Sequence, residues 1–328
     1  MTAQKKKICI LLAGGTWTLA KNKEVLMVNQ EEDVPAWLNT MPELNILADT
    51  KVVFLSGEEE IAGPALWEKM AKFIAGQAKN YDSFIIVSKV EQLILTANAL
   101  TFLLQNINKT IVLTGAQMSG LYLRDKKDLA QSLIANYGGF SLRANLINAL
   151  QVATETLPRP SIMFGSRLVL GTKAKLERQK NNYFFSSLDN DYLAKVDFGI
   201  SLKSDLSYPK KATKIFSKIN SKLLIVDNSL ADDWSGLKNL AKNYQGVLVK
   251  MQRESLTEEQ AKIIKVLDLP VIFYHPVYLN PSKLGIHLLA CSWEAAIVKT
   301  LWVLSNFTKT QDVATQLASD VAGEFLNI

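Results

Sequence analysis

The sequence predicts an α/β protein with two domains: a larger N-terminal domain built on a mostly parallel, doubly wound sheet, and a smaller α/β C-terminal domain. Two observations predict this class. Short apolar runs rich in β-branched residues alternate with longer segments whose apolar residues recur at helical spacing. Continuous apolar strands separated by helices are typical of parallel sheets that are covered on both faces. The length, 328 residues, suits two domains of ordinary size.

The first part of the chain contains most of the predicted sheet. Strands are predicted at residues 8–12, 51–55, 84–87 and 110–113, and helices at 61–78, 93–104 and 143–154. Residues 128–137 also have helical spacing, which Gly138 and Gly139 end. Residues 161–164 and 167–170 are predicted as two strands that meet near Gly165.

The remaining elements predict a linker and a second domain. Residues 195–221 are rich in Lys and Ser, contain Pro209 and have weak periodicity, as linkers do. Beyond them, strands are predicted at 223–226, 246–250 and 271–274, and helices near 237–242, 258–266 and 293–304. We therefore divide the chain into an N-terminal domain (1–200), a linker (201–221) and a C-terminal domain (222–328).

Composition and charge exclude several classes of protein. With 48% hydrophobic and 21% charged residues the chain is neither fibrous nor disordered, and no apolar run is long enough to span a membrane. The net charge is +6, and residues 195–222 are rich in Lys. The chain has no basic motif interleaved with aromatic residues, so nucleic acid is not an expected partner. Cys9 and Cys291 lie far apart in sequence, each inside an apolar run and without a disulfide framework, which is typical of a cytoplasmic protein. No CxxC or Cys/His spacing suggests a metal site.

The segments that follow the predicted strands are the candidate site, because open parallel sheets bind ligands beyond the carboxyl ends of their strands. These segments are residues 13–16 (AGGT), 56–60 (SGEEE), 88–92 (SKVEQ) and 114–117 (TGAQ). Gly14 and Gly15 permit a tight turn, after which Thr16 presents a hydroxyl. Each segment alone is more typical of a loop, but the combination favours a site.

Several segments, taken in order, resemble the bacterial-type L-asparaginase family, and most closely its cytoplasmic type I branch. LLAGGTWTL is similar to the family's opening strand and turn, LTANALTFLLQNINKTIVLTGAQ to a helix, strand and VxTGxQ turn, SRLVLGTKAKL to the segment ending in the catalytic lysine, and WEAAIVKTLWVL to the closing helix. The resemblance covers nearly the whole chain. It implies the asparaginase fold, hydrolysis of L-asparagine to L-aspartate and ammonia, and no metal or organic cofactor. It also implies a homodimer or homotetramer, since the family builds its sites between neighbouring subunits.

The resemblance further implies that the nucleophile is retained. Thr16 matches the family's catalytic threonine. The helper tyrosine that the family carries on the following loop falls at Leu26, within residues 21–28, which contain no tyrosine. A threonine hydroxyl is a poor nucleophile until a base removes its proton, so the remaining groups decide whether the site can react.

The proton-transfer group that the resemblance implies is largely replaced. The family's second threonine and its aspartate become Val90 and Glu91, which removes a hydroxyl and lengthens a carboxylate. The lysine position falls at Leu176, although Lys173 and Lys175 are close enough in sequence to be considered as replacements.

Substrate-binding positions are carried over in the same way to Glu59, Glu60, Gln92 and Gln117. The three carboxylates of residues 58–60 would repel a ligand α-carboxylate and favour an α-ammonium group. An insertion at about residues 121–140 extends the loop after Gln117 and offers a candidate partner surface.

Two functions are therefore weighed. The preferred hypothesis is a catalytically impaired or inactive relative that binds a small amide or amino-acid ligand or a protein partner, because Val90 and Leu176 keep packing volume without reactive groups. The alternative is an active amidohydrolase in which Thr16 is the nucleophile and Glu91, with a lysine from residues 173–175, transfers the proton.

Overall fold

The computed structural model describes residues 5–14, 16–19, 25–57, 59–116, 142–179, 182–197, 199–206, 208, 211–220, 222–228, 233–252, 255–275, 285–289 and 291–326. The strands, numbered in chain order, are β1 (Lys7–Ala13), β2 (Thr16–Leu19), β3 (Val25–Val28), β4 (Asp49–Ser56), β5 (Ser83–Val87), β6 (Leu104–Gln105), β7 (Thr110–Thr114), β8 (Ser161–Phe164), β9 (Arg167–Leu170), β10 (Ala174–Gln179), β11 (Asn182–Ser187), β12 (Tyr192–Val196), β13 (Ile200–Leu202), β14 (Lys214–Ile215), β15 (Leu223–Asn228), β16 (Gly246–Met251), β17 (Val271–His275) and β18 (Ile286–Leu289).

The α-helices are α1 (Val34–Leu38), α2 (Leu44–Leu47), α3 (Pro64–Gln77), α4 (Leu93–Leu103), α5 (Leu142–Ala153), α6 (Leu237–Ala241), α7 (Glu258–Lys265), α8 (Trp293–Asn306) and α9 (Thr310–Ala318). Short 3₁₀ turns are formed by Glu31–Asp33, Val90–Gln92 and Gly171–Lys173. The predicted helix at 128–137 and the insertion at 121–140 lie outside the described residues.

The larger sheet has the strand order β13-β12-β9-β8-β7-β5-β1-β4. Its strands β4, β1, β5, β7 and β8 are parallel, whereas β8, β9, β12 and β13 continue the sheet as antiparallel neighbours. The prediction of an α/β fold with a mostly parallel sheet in the N-terminal part is thus confirmed.

Helices cover both faces of this sheet, which explains the continuous apolar runs. Along β1, alternate side chains point to opposite faces. One set (Cys9, Leu11, Ala13) packs in a core cluster with α3, α4 and α8, and the other (Ile8, Ile10, Leu12) in a cluster with α1, α2 and α5. Both sets are fully buried, so neither face of β1 tolerates polar residues.

The second sheet is parallel throughout, with the order β15-β16-β17-β18. One face packs on α6 and α7 in a cluster of its own. The other face joins the first core cluster through α8, whose Trp302 stacks on Phe102 of α4 with ring centroids 5.7 Å apart. The two sheets therefore share a continuous apolar core.

Several paired segments were not predicted. The hairpin β2–β3, the hairpin β10–β11 and the antiparallel edge strands β12 and β13 lie where the sequence shows no strong strand period. Residues 201–221, predicted as a linker, contain the end of β13 and the whole of β14, which pairs with β6. This segment is therefore partly paired rather than a bare connection.

Candidate functional site

The segments after the parallel strands converge, as the sheet topology requires. The backbone N–H of Gly14, after β1, donates to the Ser56 hydroxyl at the end of β4 over 2.9 Å. The N–H of Ser88, after β5, donates to the carbonyl of Thr114 at the end of β7 over 3.0 Å. A Cβ on Gly115 would lie 2.2 Å from the Ser88 carbonyl oxygen, so only glycine permits this approach.

Gly14 forms the floor of this region. Its φ of +92° is a conformation that favours glycine, and a Cβ there would lie 3.3 Å from both the Gln92 Oε1 and the Ser88 Oγ. We call the group Gly14, Thr16, Ser56, Ser88 and Gln92 the strand-end cradle. Gly14 keeps it open, because any side chain at that position would press on the polar atoms of the cradle.

Thr16 begins β2 directly after the tight turn and is only 5% exposed. Within the described part of the chain its hydroxyl has no hydrogen-bond partner. A buried hydroxyl without a partner costs free energy, which a bound ligand or an ordered water would recover. The Thr16 hydroxyl is therefore available to such a partner.

The 3₁₀ turn Val90–Gln92 points three consecutive side chains in three directions. Val90 is 2% exposed and belongs to the first core cluster, whereas Glu91 is exposed. Gln92 turns toward the cradle, where its Oε1 accepts a hydrogen bond from the Ser88 hydroxyl over 3.4 Å. The side chain of Val90 is therefore part of the apolar core and does not face the cradle.

Glu91 has a partner that the sequence did not suggest. The Glu91 carboxylate acts electrostatically on the phenol of Tyr183, on β11. Burial raises the pKa of Tyr183, the Glu91 charge raises it further, and the nearby Arg178 guanidinium lowers it. Tyr183 is far from Glu91 in the sequence, so no local pattern could have revealed the interaction.

The hairpin β10–β11 separates the lysine candidates from Leu176. Leu176 pairs with Phe185 and packs, half-buried, on the first core cluster. Lys175 is exposed on the opposite face of β10, where its Nζ lies 3.3 Å from a Glu177 carboxylate oxygen. The core side of the hairpin therefore carries the apolar Leu176 side chain, and the amine of Lys175 lies on the exposed side.

Lys173 is held elsewhere. Its Nζ lies 2.6 Å from Asp189 Oδ2, and both side chains are largely buried, with 13% and 9% exposed. Although burial acts in the opposite direction, hydrogen bonds from Lys173 and Ser187 hold the pKa of Asp189 below its usual range. Because Asp189 would lose its charged partner, moving Lys173 into another site would be costly.

The other candidate positions are less informative. Leu26 pairs with Thr18 in the β2–β3 hairpin and packs half-buried on the second core cluster. Glu59 and Glu60 are exposed, and the Glu60 carbonyl lies 3.9 Å from the Cβ that Gly14 lacks. Gln117 lies outside the described residues.

Three further features concern the described residues. Across the described ranges, we find no cluster of three or more His, Cys, Asp or Glu side chains that could hold a metal ion. None of the helices described is long and apolar enough to cross a bilayer. Burial raises the pKa of both Cys9 and Cys291 to about 12, so neither thiol is a reactive nucleophile.

Comparisons with known proteins show what the chain is similar to. Residues 7–134 match the model for the N-terminal domain of asparaginase. L-asparaginase 1 of Escherichia coli is 25% identical over 178 residues, which are 52% of this chain and 47% of that protein. The match therefore spans about half the length of that relative. A glutamyl-tRNA(Gln) amidotransferase subunit of Methanobrevibacter smithii is 23% identical over 355 residues, which are 98% of this chain and 77% of that protein.

Solved structures extend the likeness to the whole chain. L-asparaginase I from Vibrio cholerae has a TM-score of 0.77 at 20% identity and covers 98% of this chain and 99% of that one. The thermostable L-asparaginase from Thermococcus kodakarensis has a TM-score of 0.77 at 16% identity, covering 98% and 100%. At these identities the likeness shows a shared fold.

Proposed function

The chain belongs to the asparaginase family through its N-terminal domain, and on that premise we propose that it binds a small amino-acid amide or amino acid in the strand-end cradle, with amide hydrolysis lost or strongly reduced. The observation that carries this proposal is the contrast between the side chains of Val90 and Thr16. Val90 is sealed in the apolar core, whereas the cradle beside it keeps a buried Thr16 hydroxyl with no partner among the described residues.

Loss of hydrolysis follows from what a threonine nucleophile needs. A base must accept the Thr16 proton, and the family's group uses a threonine and a lysine where this chain has Val90 and Leu176. Lys173 is paired with Asp189, and Lys175 lies on the other face of its strand. Because coupled catalytic groups act as a unit, losing two of them costs orders of magnitude in rate.

The cradle retains the groups that bind. Ser88 and Gln92 supply hydroxyl and amide groups around Gly14, and Glu91, Glu59 and Glu60 place carboxylates in the adjoining turns. Carboxylates attract a cationic group, so the ligand carries an ammonium group beside its amide or carboxylate. We propose in addition that the protein assembles as a homodimer or homotetramer in the cytoplasm, as its resemblance to the family implies.

Ammonia release is the direct test of the catalytic part. We expect the folded protein to release ammonia from L-asparagine and L-glutamine no faster than its Thr16→Ala variant. Circular dichroism of both proteins verifies folding. Robust turnover that Thr16→Ala abolishes would refute the proposal.

Calorimetry with L-asparagine and L-aspartate tests the binding part. We expect Thr16→Ala to weaken binding by about two- to tenfold, the range of one hydrogen bond. Thr315→Ala, at an exposed position of α9, is the matched control and should leave the affinity unchanged. The absence of binding by the wild-type protein would contradict the proposal.

A second candidate is an active amidohydrolase, which the retained Thr16 hydroxyl and the carboxylate of Glu91 favour. In that reaction the Thr16 oxygen attacks the amide carbon, its proton passes to the leaving ammonia, and water then releases the acid. The triple variant Val90→Thr, Glu91→Asp, Leu176→Lys tests whether the cradle geometry still supports this chemistry. Turnover gained only in the triple variant supports the impaired site, whereas equal turnover in the wild type supports the second candidate.

A further inference from the structure

A groove on the C-terminal domain lies at the edge of the second sheet where β16 and β17 begin. One wall is the end of α6 with Tyr244, which follows it, and the other is formed by residues 266–269, which follow α7. Because the strands of this sheet are parallel, this edge is opposite the one where they end. The groove has a volume of about 300 Å³, which is within the range of small-molecule sites. We call it the α6–α7 groove.

The floor of the α6–α7 groove is apolar. Leu267 and Leu269 line it and pack, half-buried, on the core cluster between the second sheet and its helices α6 and α7. Val266 lies beside them and is 56% exposed. A ligand that covers these side chains removes apolar surface from water, which favours binding. The groove therefore suits a ligand with an apolar body.

Both walls of the groove are held by backbone hydrogen bonds. The Tyr244 N–H donates to the carbonyl of Ala241 over 3.0 Å, and the Leu267 N–H donates to the carbonyl of Ile264 over 3.1 Å. Ala241 and Ile264 are themselves buried in the core cluster below the groove. A ligand therefore meets walls that are already formed, and its binding requires little ordering of the chain.

Two lysines form the rim of one wall. Lys238 lies in α6 and Lys242 is its C-cap residue in helical conformation, so these residues, four apart, share one face of the helix. Both line the groove and both are exposed. Within the part of the chain that the structure describes, neither ammonium group has an ion-pair or hydrogen-bond partner. Like charges at this spacing repel each other, and an anion between them relieves the repulsion.

The opposite wall contributes one negative charge. Asp268 is exposed and is the acidic side chain among the residues that line the groove. One carboxylate therefore faces the two ammonium groups of Lys238 and Lys242. The excess of positive charge favours an anion, whereas the Asp268 carboxylate opposes its binding.

We propose that the α6–α7 groove is a second ligand site, which takes a small organic anion. The carboxylate of the ligand lies between Lys238 and Lys242, and its apolar body covers Val266, Leu267 and Leu269. The site belongs to the second sheet, whereas the strand-end cradle belongs to the first. Binding in the groove is therefore independent of the proposed function.

Methyl NMR with 4-phenylbutyrate tests the site directly. This probe carries a carboxylate and an apolar body, and its uncharged counterpart 4-phenylbutyramide keeps the body alone. Valine labelled with carbon-13 in its methyl groups gives signals for Val266, which are assigned by their loss in Val266→Thr. We expect the carboxylate to shift these signals with a dissociation constant below about 10 mM, and the amide to bind at least about fivefold more weakly. No saturable shift, or equal affinities for the two probes, would overturn the proposal.

Charge variants test the two walls with opposite signs. The double variant Lys238→Gln, Lys242→Gln should weaken the binding of 4-phenylbutyrate by about five- to tenfold and leave that of the amide unchanged, since each exposed ion pair contributes modestly. Asp268→Asn should instead strengthen the binding of the carboxylate by about twofold, because it removes a repelling charge. All three side chains are exposed, so the variants should keep the fold. A double variant that binds 4-phenylbutyrate as tightly as the wild type would refute the site.

The matched control removes the same charge elsewhere. Lys72 and Lys79 are exposed lysines of the N-terminal domain, and replacing both by Gln should leave the affinity for 4-phenylbutyrate unchanged. If this control weakens binding as much as the double variant of the rim, the probe responds to the net charge of the protein and the proposal is wrong. Thr16→Ala, in the strand-end cradle, should not change the Val266 shifts, so a failure of the groove and a failure of the cradle are distinguished.

Discussion

Replacing Val90 by threonine tests whether this position belongs to the core or to the site. The two side chains have nearly the same shape, so the substitution exchanges a methyl group for a hydroxyl at a side chain that is 2% exposed. Val90 belongs to the first core cluster, which also contains Leu93 and Ile94 of α4. Burying a hydroxyl without a partner costs about 1–3 kcal/mol, and we expect Val90→Thr to lower the free energy of unfolding by that amount.

Urea unfolding followed by tryptophan fluorescence measures this loss, since the chain contains six tryptophans. The dependence of the unfolding free energy on urea should stay unchanged, which would show that the midpoint shift reports stability. The control is Val266→Thr, where the valine is 56% exposed and the expected change is within about 0.5 kcal/mol. If Val90→Thr costs no more than this control, the hydroxyl has found a partner, and the assignment of position 90 to the sealed core is wrong.

Two further predictions concern buried charges and thiols. Lys299 and Glu324 form a fully buried ion pair at 2.6 Å, so Lys299→Ala should lower the free energy of unfolding by about 3–5 kcal/mol. The exposed, ion-paired Lys195 is its control, and Lys195→Ala should cost less than about 1 kcal/mol; equal losses would contradict the reasoning. Burial raises the pKa of Cys9 and Cys291 to about 12, so both thiols should resist a disulfide reagent at pH 8 until urea unfolds the chain. Because the pKa of each thiol in the folded protein lies above its ordinary value of 9.0, the free energy of unfolding should fall as the pH rises from about 9 toward 12. Rapid labelling of the folded protein would refute the burial of the two thiols.

The regular part of the fold could be predicted because its signals are local. The apolar run of β1 is continuous since both its faces are buried, and α3 and α4 show helical spacing. The hairpins β2–β3 and β10–β11 escaped prediction for the opposite reason. Their residues are of mixed polarity, and each strand is stabilised by its partner and by the core beneath it.

In the candidate site, too, some features follow from local sequence signals and others from packing. The ends of the strands follow from the sequence, and so does the convergence of Gly14, Ser88 and Gln92, because parallel strands bring their carboxyl ends to one edge. The directions of the Val90 and Glu91 side chains could not be predicted in this way and are known from the folded structure. Side-chain direction within a single turn depends on what packs against it, and the partner of Glu91 comes from a distant hairpin. Chain connectivity sets the place of a functional group, but packing across the fold sets its direction and its partners.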